Sequence, residues 1–303
     1  MNLNDEYLPY KHVIGEVFLD KNKGVKTVVN KLDNIDTQFR FFGMEVLAGE
    51  HNFVVEHVYW NSRLHTEHQR IVTLLQPGEV LADVFAGVGP FALPAAKIGC
   101  AVLANDLNPN SVKYLEKNIQ DNQLNCFPLK VSDTVRVFCK DGRDFISHAC
   151  QQLAHSPFPP YLGPKLSKTQ ARKLEKEARK NASTPAETSP SIPPRKTIDH
   201  FVMNLPDTAI QFLDAFRGVL STPALRELYS KMPIVHCHCF TRELEPEGAE
   251  IDIRKPDLKR VEEKLGYSIT EDVKLVFVRS VAPGKDMYCI SFRLPYEVAS
   301  LEI

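Results

Sequence analysis

Asp83-Val84-Phe85-Ala86-Gly87-Val88-Gly89-Pro90-Phe91 stands between a short apolar run, Val80 to Ala82, and the segment Phe91 to Lys97. The apolar run has the pattern of a buried parallel strand. The segment after it predicts a helix with Pro94 in the first turn, where a missing N–H costs little. Gly87 and Gly89 therefore fall on a strand-to-helix turn, lined also by Phe85. A backbone without Cβ atoms there comes close to a ligand.

The type of ligand follows from charge. A dinucleotide would call for G-x-G-x-x-G, and here the third glycine is absent. Asp83, just before the loop, would repel a pyrophosphate. It suits a cofactor with cationic groups and no phosphate, and S-adenosylmethionine (AdoMet) carries a sulfonium and an ammonium. About twenty residues on, a second apolar strand, Ala101 to Ala104, ends at Asn105-Asp106-Leu107. An acidic residue at that strand end is placed to accept both hydroxyls of a ribose.

Outward from the loop, helix and strand patterns alternate. Helix is expected over Pro109 to Gln120, and a third strand over Val135 to Cys139, ending at Asp141-Gly142-Arg143-Asp144. A carboxylate there lies near the adenine of a nucleoside cofactor. A fourth strand, Phe201 to Met203, runs into Asn204-Leu205-Pro206 and a helix from Asp207 to about Val219. Then come a strand from Ile234 to Phe240, a helix from Pro256 to Leu265, and strands Val273 to Val281 and Met287 to Leu294, joined by a turn at Pro283-Gly284. The fold class expected is α/β: a Rossmann-like, mostly parallel sheet with an antiparallel C-terminal hairpin. A small N-terminal α+β subdomain, residues 1–58, precedes the 59–303 domain. In it Leu8 to Leu19 predicts a helix with Val13, Ile14, Val17 and Phe18 on one face, and Val25 to Val29 and Phe41 to Leu47 predict strands. A basic insertion interrupts the larger domain at about 149–196. Its Lys-rich run, 165–180, reads as a helix that touches RNA or, slightly favoured, as a solvated excursion, and Asn181 to Pro194, rich in Ser, Thr and Pro, is expected to be disordered.

The 303 residues, 43% of them hydrophobic, suffice for one large core or two domains. A net charge of −1 excludes a polycation, so any nucleic-acid contact comes from local patches. The seven cysteines are odd in number and show no C-x-x-C, which fits free thiols of a reducing compartment. No apolar run is long enough to span a membrane, and the first residues lack the features of a targeting peptide.

Before the loop, Asn61 or Ser62 would cap a helix running to about Leu75, with Arg63 and Glu67 four apart on one face and His68 next to them. The pair reads as a surface ion pair or as a base beside the cofactor loop; spacing alone leaves both open. His236-Cys237-His238-Cys239 has alternating donors on an apolar strand and no second ligand pair at zinc spacing, so no metal is expected and the stretch is read as core.

Arg40 in Phe39-Arg40-Phe41-Phe42, Asn61 to His68, the Asp83–Phe91 loop, Asn105 to Pro109, Asp141 to Asp144 and Met203 to Pro206 together resemble the eukaryotic and archaeal tRNA (guanine-N1)-methyltransferases. The resemblance spans the chain apart from the insertion. It implies methyl transfer from AdoMet to N1 of guanosine at position 37 of tRNA, by a monomer, in cytoplasm, nucleus or mitochondrial matrix. It further implies Glu67 as general base with its pKa raised toward the working pH by burial, and Arg40 as the group stabilising charge on O6. Asn204 would position the base and Pro206 would stiffen its loop. AdoMet contacts are implied for His68, Asp106, Leu107, Asp141, Gly142 and Asn204, with Phe85, Gly87 and Gly89 lining the loop. Relatives carry a further N-terminal domain before the point where this chain starts. About a dozen residues are expected to be missing between Glu56 and Val58 relative to the family. The rivals are an aminocarboxypropyl transferase of wybutosine synthesis, against which Asn204-Leu205-Pro206 speaks, and an exocyclic-amine methyltransferase, which would carry Asn-Pro-Pro-aromatic. The third is a catalytically silent AdoMet- or RNA-binding relative.

Overall fold

The computed structural model describes residues 3, 5–31, 44–49, 64–122, 134–163, 192–241, 247–248 and 260–302. Arg40, Asn61, Ser62, Arg63, the Lys-rich run and the gap near Glu56 all lie outside these. The chain divides into two compact units, Met1–Val58 and Tyr59–Ile303.

In the first unit a 3-10 turn, Asp5–Tyr10, leads into α1 (Lys11–Lys21), and β1 (Thr27–Lys31) pairs antiparallel with β2 (Met44–Gly49). The helix expected from Leu8 begins later, because Pro9 sits in the tighter turn. Val13 is 61% and Val17 53% exposed within the unit, while Gly15 is buried. A Cβ at Gly15 would stand 2.7 Å from Leu47 Cβ, so helix and strand approach through the missing side chain.

The second unit contains α2 (His65–Leu74), β3 (Val80–Asp83), α3 (Ala92–Lys97), β4 (Ala101–Asn105), α4 (Pro109–Asp121), β5 (Val135–Phe138) and α5 (Gly142–His155). There follow β6 (His200–Met203), a 3-10 segment Ala209–Phe216 where α-helix was expected, α6 (Pro223–Leu228) and β7 (Ile234–Thr241). The chain closes with α7 (Arg260–Leu265), β8 (Lys274–Ala282), β9 (Lys285–Arg293) and α8 (Tyr296–Ala299). The sheet order is β5-β4-β3-β6-β7-β9-β8. Every pair from β5 to β7 is parallel, while β9 runs antiparallel to both β7 and β8, the fold class read from the sequence. Strands β3, β4 and β6 are buried along their whole length, as strands covered on both faces must be.

The chain order reverses at β3, with β4 on one side and β6 on the other. A crevice opens at the carboxyl ends of strands at such a switch point. Asn105 holds its rim together: its amide donates to Val84 O at 3.1 Å and Lys140 O at 3.0 Å, and its Oδ1 accepts from Lys140 N at 3.0 Å. The insertion is narrower than expected. Helix α5 continues to His155, Phe158 is fully buried, and Phe158 and Arg195 exchange two backbone hydrogen bonds at 3.0 and 3.1 Å.

Candidate active site

Asp83 ends β3, Asp106 follows β4, Asp141 caps α5 after β5, and Asn204 follows β6. Four neighbouring parallel strands therefore deliver their polar residues to one edge of the sheet. The turn between β3 and α3 lies there too. Gly87 has φ +54° and open space where a Cβ would point, so the backbone is accessible. Gly89 has φ +97°, and a Cβ there would strike Leu115 Cδ1 at 2.7 Å. Asn118 steadies the loop by donating to Val88 O at 3.0 Å.

Asp106 accepts from Gly87 N at 2.8 Å and from Asn108 N at 2.9 Å, one bond to each carboxylate oxygen. That fixes the carboxylate while leaving lone pairs for hydroxyl donors. Leu107 beside it is 40% exposed, an apolar surface next to the fixed carboxylate. The Asp141 side chain accepts from Arg143 N at 2.8 Å. Gly142 is buried because a Cβ there would lie 2.9 Å from Phe85 and 3.0 Å from Phe212, whose rings pack edge to face.

Asp83 is the anomaly. It is 0% exposed, and neither carboxylate oxygen has a well-formed hydrogen bond among the described residues, although the Phe85 backbone N–H faces the group. Burial, with the Asp106 carboxylate nearby, pushes its pKa up to about 8. Asn204 Oδ1 is likewise buried without a partner. Orphaned buried acceptors are rare and costly. A carboxyl that burial keeps from ionising and an acceptor without a partner, beside an open glycine turn, fit a ligand that brings cations and donors, as AdoMet would.

Glu67, on α2, is 6% exposed. Arg70, not a residue the spacing argument had considered, donates from Nε to Glu67 Oε2 and from Nη2 to Oε1, both at 2.7 Å. His238 Nε2 lies 2.7 Å from the same Oε1. Burial would raise the Glu67 pKa, but the bonds from Arg70 and His238 outweigh it and hold the carboxyl down at about 2. The expectation of a raised pKa is thus overturned: Glu67 is ionised at neutral pH. Burial also disfavours a charged His238, yet the Cys289 sulfur and the Glu67 carboxylate raise it to about 10. His68 is buried against Phe91, ring centroids 4.7 Å apart, and burial together with His238 lowers it to about 4.

The His-Cys-His-Cys strand is β7. Cys237 and Cys239 belong to the core, as expected, but His238 belongs to the site. Glu67, His238 and Cys289 bring ligand atoms within 4.8 Å of one another. The Arg70 guanidinium already occupies both Glu67 oxygens, so a dication there would face a cation in direct contact with its ligand. The six described cysteines are all thiols, with no disulfide among them. No described helix is long and apolar enough to cross a membrane.

Fold and site together define the Rossmann-like class of methyltransferases built for a nucleoside cofactor. Residues 49–154 match the TRM5/TYW2 methyltransferase domain, and residues 1–52 the TYW2 N-terminal domain. The tRNA (guanine(37)-N(1))-methyltransferase of Coprinopsis cinerea is 58% identical over 99% of this chain and 67% of its own length. The mouse protein of the same name is 42% identical over 97% of this chain and 52% of its own. The crystal structure of wild-type Trm5b from Pyrococcus abyssi superposes with a TM-score of 0.55 at 24% identity, covering 97% of this chain and 71% of that one. That of Pyrococcus horikoshii TYW2, solved in complex with MeSAdo, gives 0.53 at 21%, covering 96% and 86%. The chain belongs to the TRM5/TYW2 methyltransferase family. It spans about half to two thirds of the length of these curated relatives.

Proposed function

We propose that the chain transfers a methyl group from AdoMet to N1 of guanosine at position 37 of tRNA. The observation that carries this reading is the 58% identity, over 99% of the chain, to a protein named for that activity. The site's chemistry supports it. Asp106 would hold the ribose hydroxyls, Asp83 would meet the cationic end of the cofactor, and Asp141, Gly142, Phe85 and Leu107 would border the adenine. His68, Gly87 and Gly89 complete the cofactor side. When bound, AdoMet supplies an electrophilic methyl group on a sulfonium.

The chain's own task is to make guanine N1 nucleophilic. N1 carries a proton at neutral pH, so a base must accept it as the new bond forms. Glu67 is in the required ionised form. Its low pKa makes it a weak base at rest, so transfer occurs in concert with methylation and not before it. Asn204, with a bare Oδ1, is suited to accept from a donor edge of the base. Pro206 restricts the turn behind it, and its carbonyl accepts from Phe240 N at 3.0 Å. Arg40 is assigned to O6 by resemblance alone.

The family includes both methyl and aminocarboxypropyl transfer, and Asn204-Leu205-Pro206 favours the former. The test uses tRNA transcripts with guanosine or adenosine at position 37. AdoMet labelled in the methyl group is run beside AdoMet labelled in the carboxyl group. Methyl label in 1-methylguanosine, only from the guanosine transcript, is the expected result. Carboxyl label in the RNA, or no transfer, would overturn the reading.

A further inference from the structure

Glu67 is held from two sides by elements far apart in sequence. Arg70 comes from the same helix one turn on, and His238 from β7, 171 residues away. A carboxylate offers about four acceptor positions, two on each oxygen. Oε1 faces Arg70 Nη2 and His238 Nε2, and Oε2 takes Arg70 Nε, so among the described donors only Oε2 keeps a position open. His238 itself is 0% exposed, and besides Glu67 it faces the Cys289 sulfur. A fully buried imidazole that spends its hydrogen bond on a carboxylate contributes nothing to the core that an apolar residue would not contribute better.

We propose that His238 is a positioning residue acting through Glu67: it keeps the carboxylate ionised and turned so that one Oε2 lone pair faces the substrate proton. This rests on the reading of Glu67 as proton acceptor. Without His238 the carboxylate would lose its second restraint and a cationic neighbour, and burial would then favour its neutral, unreactive form. The groups facing His238 are Glu67, His68 and Arg70 from α2, Cys289 from β9, Asp83 from β3 and His236 on its own strand. His236 is neutral, pushed down by burial and held between His200 at 3.1 Å and Ser291 at 2.7 Å. Of the cations facing Glu67 from the described elements, Arg70 stays charged throughout, so His238 is the one that a substitution can neutralise while leaving the Arg70 pair in place.

The experiment is the single-turnover methylation rate from pH 4.5 to 9 for the wild type, His238→Gln and Glu67→Gln, with AdoMet affinity by calorimetry as the check on folding. The wild type should show no acidic limb from Glu67 in this range. His238→Gln keeps a donor but not the charge. It should move the Glu67 limb up by about three pH units, to about pH 5 and so inside the measured range, with AdoMet affinity unchanged. A merely structural role would change rate or stability without moving that limb. A His238→Gln profile that overlays the wild type overturns the proposal. A Glu67→Gln enzyme with wild-type rate overturns the underlying reading of Glu67 instead, so the two failures are distinct. If His238→Gln does not fold, nitrogen-15 NMR of histidine-labelled wild-type protein decides. His238 should remain an imidazolium at pH 8, and a neutral ring at pH 7 would refute the inference.

Discussion

Asp83→Asn isolates the cost of the bare carboxylate. Folded Asp83 keeps its proton up to about pH 8, whereas the unfolded chain releases it near the ordinary value of 3.8. Between these values the folded state binds the extra proton, so stability falls as pH rises, by about 1.4 kcal/mol per unit. By pH 7 the penalty is about 4 kcal/mol. Asparagine has the same shape and no charge, and its own unpaired amide costs about 1–3 kcal/mol. The variant without cofactor should therefore be more stable than wild type at pH 7 by about 1–3 kcal/mol, and it should lose the slope between pH 4 and 8. Urea melts at several pH values measure both. The same variant should bind AdoMet at least about tenfold more weakly, the loss of one charge-assisted hydrogen bond. In the wild type at pH 7, cofactor cations arriving at a protonated Asp83 should expel its proton. Calorimetry in buffers of different ionisation enthalpy should show proton release that Asp83→Asn abolishes. A variant with the wild-type pH slope, or with unchanged AdoMet affinity and proton release, would refute the assignment of Asp83 to the cationic end of the cofactor.

Two further outcomes are expected. Asp106→Ala frees Gly87 N and Asn108 N and removes the ribose acceptor, so AdoMet affinity should drop by about 1–3 kcal/mol, and an unchanged calorimetric affinity in a folded variant would exclude Asp106 from the ribose. Replacing 165–190 with a short glycine linker should leave melting temperature and AdoMet binding unchanged, because Phe158 and Arg195 already pair at the neck; if the Lys-rich run contacts tRNA, the salt dependence of tRNA binding should flatten by about one unit per lost phosphate contact.

Much of this site was legible locally. A buried strand, a glycine turn and a helix follow one another within about a dozen residues, and their order alone implies a parallel sheet with acidic strand ends at one edge. Asp83, Asp106 and Asp141 were picked out that way, since each stands within two residues of the end of an apolar run, whereas Asn204 came from the family resemblance. Other features were not legible. Apolar periodicity put Val13, Ile14, Val17 and Phe18 on one face of α1 but gave no sign of Gly15, because close approach is decided by the partner strand. In α2 the spacing argument stopped at Arg63, which lies outside the described residues, and did not reach Arg70, whose guanidinium meets Glu67 at i+3. His238 was hidden for a different reason. A strand buried on both faces has no polar side to mark, so His236 and His238 look alike in sequence. Only the register of β7 against β9, which sets His238 opposite Cys289, and the α2 carboxylate beside it give one histidine a charge and leave the other neutral.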